Sequence, residues 1–162
     1  MTVHEQPERT GGTGRPDRRR SLLACALIGA AVMAAVDEIV FHQILHWHHF
    51  YDRSTSGVAL VSDGLLHTAS LLALVTGFFL YADLRRRRAL SPAHGWAGFF
   101  LGLGGFQLFD GIVDHKLLRV HQIRYGVDLA PYDWAWNLGG LVLLLIGVGV
   151  LVRAGRRGRR AS

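Results

Sequence analysis

The sequence predicts an all-α membrane protein: a polytopic four-helix bundle built as two tandem helical hairpins, with pseudo-two-fold symmetry along the membrane normal. Three observations carry this prediction. Half of the residues are hydrophobic, and they gather into four continuous blocks, 22–47, 58–84, 95–118 and 134–152. Each block has about 19–27 residues, enough to cross a bilayer. Arginines cluster at 9–20, 85–88 and 153–160, always at the same end of successive blocks. Finally, one polar hexapeptide recurs in the first and third blocks. Lipid demands that backbone groups be satisfied within a segment, and the continuous apolar runs lack the alternation of a membrane β-barrel.

In chain order, residues 1–20 are polar, glycine-containing and basic, and read as a disordered cytoplasmic tail. Leu-Leu-Ala-Cys at 22–25 resembles a lipoprotein box and Arg18–Arg20 a twin-arginine signal. The long apolar run with no small-residue cleavage site instead predicts a retained first helix. That helix begins in small residues, Ala24 to Ala35, which permit close packing. Its outer half is polar: Asp37-Glu-Ile-Val-Phe-His42-Gln-Ile-Leu-His46-Trp-His48-His49. Span two opens on Asp63 and His67, four apart and hence on one helical face. Ser91-Pro92 caps span three, whose glycines include the small-xxx-small pair Gly98/Gly102. Its outer half carries Gln107, Asp110, Asp114 and His115, with His121 beyond it. Span four opens on Asp133 and Asn137, and residues 153–162 form a second basic tail. The positive-inside rule places both termini on the cytoplasmic side of the membrane. Orientation and anionic lipid account for the net charge of +6, so the partner is the lipid bilayer and not nucleic acid. Cys25 stands alone, which removes disulfides and thiolate clusters.

Asp37-Glu-Ile-Val-Phe-His42 matches Asp110-Gly-Ile-Val-Asp-His115 at an offset of 73 positions, and Asp63/His67 match Asp133/Asn137 at 70. A rise of about 1.5 Å per residue puts Asp37, His67, Asp110 and Asn137 near 24 Å from the inner ends. His42, Asp63, Asp114, His115 and Asp133 fall near roughly 30 Å. Polar groups from all four helices thus share two adjacent layers. Asp37 and His42 are about 140° apart on an α-helix, so either this helix lies between two neighbours or it contains a π-bulge.

Ionisable groups at bilayer depth are costly and mark function. Imidazole and carboxylate donors without thiolate suit zinc, copper, iron or manganese. The predicted metal ligands are Asp37, Glu38, His42, Asp63, His67, Asp110, Asp114, His115 and His121. Asp133, Asn137, Gln107, His46 and His49 are expected to support them by hydrogen bonding. His46, His48 and His49 also fit a solvated mouth at the membrane surface, with Trp47, Trp134 and Trp136 as interface anchors. The alternatives are a haem between facing histidines, a proton or ion relay, or a polar core that only joins helices. No nucleophile motif, P-loop or dinucleotide fingerprint is present, and neither a reaction nor an oligomeric state is legible.

The motifs F-H-Q-I-L-H-W-H-H, D-G-L-L-H, D-G-I-V-D-H-K-L-L and H-Q-I-R resemble a family of four-span bacterial membrane proteins of unknown function, over residues 36–140. The matching positions are His42, His48, His49, Asp63, His67, Asp114, His115 and His121. Lys116 and Gln122 stand where that family often has further histidines, so any ligands there are missing from this chain. The resemblance implies a bacterial inner-membrane protein and points toward respiratory oxidase assembly, with copper or haem as the associated cofactors.

Overall fold

The computed structural model describes residues 15–160; the tail expected at 1–20 lies outside it up to residue 14. Arg18–Val36 forms α1, which runs directly into a π-helical segment, π1, at Asp37–Ile44. After a loop come α2 (Ser56–Arg86) and α3 (Pro92–Phe109). A second π-helical segment, π2 (Asp110–Leu117), continues α3, and Ala130–Arg160 forms α4. All four long helices have the length and composition to cross a membrane. Asp17 caps α1 by accepting from Arg20 N–H at 2.9 Å. Thr55 caps α2, and Pro92 opens α3 as the sequence predicts. α4 continues as helix through 153–160, where composition suggested a tail.

The bundle is a row of helices in the order α2–α1–α3–α4. α1 packs on α3, α2 on α1, and α4 on α3; α2 and α4 share no face with each other. Small residues set the central spacing. A Cβ on Gly98 would lie 2.1 Å from Leu22 O, and one on Gly102 would lie 2.0 Å from Ala26 O. Only glycine lets the two backbones approach this closely, in keeping with small-residue packing of membrane helices. Gly104 does the same against Gly140 O of α4, at 2.5 Å. The large apolar side chains of α2 and α4 point outward, including Leu65, Phe79, Leu138 and Leu145. Such an apolar surface suits lipid and not water.

At the arginine end, Ser91 N–H donates to Ser21 Oγ at 2.9 Å and Asp17 N–H to Ala89 O at 2.8 Å. These bonds tie the start of α1 to the α2–α3 turn. The polar residues collect at the opposite end, where π1, π2 and the two following loops meet.

Candidate metal centre

The backbone at the polar end explains how the side chains converge. A π-helix bonds residue i to i+5, so residues five apart come near one turn. That register brings Asp37 beneath His42 and Asp110 beneath His115, which an α-helix would hold about 140° apart. His42 Nε2 lies 3.5 Å from Asp37 Oδ2, and His115 Nε2 lies 3.3 Å from Asp110 Oδ2. Both explanations left open for the wide polar face hold: α1 lies between α2 and α3, and its outer end is a π-helix. Both segments then close alike. Leu45 N–H bonds Val40 O and Trp47 N–H bonds Phe41 O, as Leu118 N–H bonds Val113 O and Val120 N–H bonds Asp114 O. His46 and Arg119 take left-handed backbone conformations, at φ 51° and 52°. Each reverses the chain so that the histidine two residues on, His48 or His121, turns back into the protein. Both are buried, at 4% and 1% exposure.

These two rings stack on each other, with centroids 4.6 Å apart and planes 4° from parallel. Each is held by the opposite half of the chain. His48 Nδ1 donates to Ile123 O at 2.9 Å, and His121 Nδ1 donates to Phe50 O at 2.9 Å. A carbonyl oxygen only accepts, so Nδ1 carries the proton in both neutral rings and Nε2 presents a lone pair. His42 is fixed the same way by a carboxylate, with Nδ1 3.1 Å from Asp63 Oδ1. Holding the far nitrogen so that the near one is free is how outer partners orient metal-binding histidines. His115 Nε2 lies 3.0 Å from His121 Nε2, and His121 Nε2 lies 3.4 Å from Asp110 Oδ1. Donors on one tetrahedral zinc, with bonds of about 2.0–2.1 Å, stand roughly 3.3 Å apart. The donor spacing therefore matches a shared ion.

The side chains can hold a metal in overlapping groups. Asp37, His42 and His48 form one, His48, His115 and His121 a second, and Glu38, His42 and Asp63 a third, with ligand atoms in each within 4.8 Å of one another. Within the centre, His42 Nε2, His48 Nε2 and Asp110 Oδ2 are buried with no hydrogen-bond partner among the described residues. Orphaned buried polar atoms are costly, and a cation held here would satisfy them. His48 lies beyond the spans. Burial pushes its imidazole down to about 2, and the His121, His42 and His115 rings push the same way. It is held neutral, as a metal ligand must be. Burial also lowers His121, but the hydrogen bond and charge of Asp110 outweigh it and leave that ring raised.

Around this centre the halves differ. In the first, Glu38 Oε2 sits 2.8 Å from His42 Nδ1, and Asp63 accepts from His49 Nδ1 at 2.6 Å and Phe50 N–H at 2.7 Å. In the second, Gly111 replaces Glu38, and Asp133 pairs with Lys116. Asp133 Oδ1 is 3.9 Å from His115 Nδ1.

Several expectations need correction. His67 is exposed on α2 and takes no part in the cluster. α2 touches α1 along one narrow stripe, Ala59, Asp63, Ser70, Gly77 and Leu84, and His67 falls beside that stripe. His48 is no solvated mouth residue: it is at the middle of the site. His46 is exposed and does face outward, whereas half-buried His49 turns its Nδ1 to the buried Asp63 carboxylate. Trp136 is buried against Phe41, with centroids 5.3 Å apart, and is no interface anchor. Gln107 donates to Trp136 O at 2.9 Å and joins α3 to α4 instead of supporting a ligand. Asn137 bonds back to Asp133 O within its own helix. Asp114 is buried near Asp110 and His121. His48 was the missed residue, and its signal was present. It stands 73 positions before His121, the offset that already relates His42 to His115.

The fold and site define a class: multi-pass helical membrane proteins with a buried histidine–carboxylate cluster at one end of the bundle. Residues 24–154 match the family described as Predicted membrane protein (DUF2243), and the chain belongs to that family. No curated protein and no solved structure matches it.

Proposed function

We propose that this chain is a bacterial inner-membrane protein that binds a divalent transition metal, zinc, copper, iron or manganese, between Asp37, His42, His48, Asp110, His115 and His121. The observation that carries this reading is the pair of buried triads that share His48, Asp37/His42/His48 and His48/His115/His121, with the outer nitrogens of His42, His48 and His121 each held by an acceptor. Three pairs at one offset, Asp37/Asp110, His42/His115 and His48/His121, support tandem hairpins related by a pseudo-two-fold axis through the stacked His48 and His121 rings. The arginines at the opposite end support cytoplasmic termini, so the metal faces the extracytoplasmic side. That position suits metal handling or respiratory oxidase assembly, in which the ion is received or delivered from outside.

The rings themselves weigh against haem. His42 and His48 have centroids 4.4 Å apart, and His115 and His121 4.7 Å apart. A porphyrin plate does not fit between rings in contact, whereas a single ion does. Helices α1 and α3 are apolar between the site and the arginine end, which weighs against a relay across the membrane.

Elemental analysis of the full chain, purified in detergent without added metal, tests the reading. The expected result is near-stoichiometric metal, because a formed site fills. Less than roughly half an equivalent, also after reconstitution with zinc, copper, iron and manganese in turn, would sink it.

A further inference from the structure

The two halves hold the same central ligands, yet their outer shells carry different charge. Glu38 is 1% exposed and Asp63 1% exposed, so two carboxylates lie buried beside His42 in addition to Asp37. Their only ion-pairing partners among the described residues are histidines. In the second half the corresponding charge problem is solved within the chain. Gly111 stands at the position of Glu38, and a Cβ there would lie 2.5 Å from Asn137 Oδ1, so no larger residue fits. Asp133, the counterpart of Asp63, is neutralised by Lys116. The residue that corresponds to Lys116 in the first half is Gln43, which donates to Glu38 Oε1 at 2.9 Å and brings no charge. Glu38 Oε2 is left buried with no hydrogen-bond partner among the described residues, facing His42 Nδ1 at 2.8 Å. A buried carboxylate in lipid-surrounded protein requires a counter-charge. An orphaned carboxylate oxygen, a second carboxylate and an imidazole nitrogen, with ligand atoms within 4.8 Å of one another, supply a cation with three donors.

We propose that the first half carries a second, peripheral divalent-cation site formed by Glu38, Asp63 and the Nδ1 atom of His42. Resting on the central site proposed above, it makes His42 a bridging ligand, Nε2 to the centre and Nδ1 to the periphery. When both positions fill, the His42 ring gives up its Nδ1 proton to solvent and becomes an imidazolate. Asp63 is already aimed by the Phe50 N–H, and His49, half-exposed and bonded to Asp63, stands at the outer approach. The asymmetry makes the peripheral site the first one an incoming ion meets on the His49 side.

The test uses the purified full chain loaded with zinc and dialysed, with zinc counted per protein. Glu38→Gln keeps the side chain's size and removes its charge, and it should hold one equivalent less than the wild type. Gln43→Lys, which supplies in the first half the cation that Lys116 supplies in the second, should lose the same equivalent from an intact fold. The double variant His48→Ala/His121→Ala should keep the peripheral ion while the centre empties. Zinc content equal to wild type in both Glu38→Gln and Gln43→Lys overturns the peripheral site and leaves the central reading standing. Loss of all zinc in Glu38→Gln shows one joint site and also overturns it. A wild type that takes up no zinc overturns both readings together.

Discussion

Residues 37–63 and 110–133 build the same inner structure and different outer ones. Each runs from an α-helix into an eight-residue π-helix, turns on a left-handed residue, and returns a histidine to the centre. Each pins the other's histidine through a backbone carbonyl, His48 on Ile123 and His121 on Phe50. Outside that shared frame, the first half places Glu38, Asp63 and His49 where the second has Gly111, Asp133 with Lys116, and Gln122. The common part therefore marks what both halves need together, and the unshared part marks what one half does alone. A buried carboxylate with no cation is tolerated only where something else compensates it.

The largest change should come from forcing the halves apart. Gly102→Leu puts a side chain where a Cβ already lies 2.0 Å from Ala26 O. Overpacking typically costs about 1–3 kcal/mol, and backbone contact puts this variant at or above the upper end. Thermal unfolding in detergent should shift down sharply, with metal lost as the α1–α3 spacing opens. Unchanged stability would mean that the central packing is wrong.

Removing a shared ligand comes next. His48→Ala should weaken zinc affinity by more than the roughly 10–100-fold that loss of an outer partner costs, and His121→Ala should do the same. A competition titration against a chelator reads both. A marked difference between them would break the equivalence of the two halves at the centre. Gln43→Lys, which makes the first half resemble the second, should remove one zinc equivalent and leave the central affinity near wild type.

Smaller effects belong to the second half's own device and to the excluded residue. Lys116 is partly exposed, so Lys116→Met should cost about 0–1 kcal/mol, seen as a slight drop in unfolding temperature with metal content unchanged. His67→Ala should change neither zinc stoichiometry nor affinity, because its side chain points away from α1 and into the surroundings. A fall in occupancy there would return His67 to the site.

By itself the sequence determined the four membrane helices, their apolar lengths, the glycine contact at Gly98 and Gly102, and most of the polar residues that meet. Those features depend on composition and short-range spacing, which lipid converts almost directly into structure. Tertiary structure alone decided which polar residues share a centre. Counting height along α-helices put His67 and Asn137 level with Asp37 and Asp110, but height says nothing about facing. With α2 and α4 at the ends of a row, each has one neighbour, and only its contact stripe reaches the site. The histidine run 46–49 looked uniform in sequence. A single left-handed residue at His46 buried His48 and left His46 itself exposed, and the carbonyl that orients the His48 ring comes from Ile123, across the molecule.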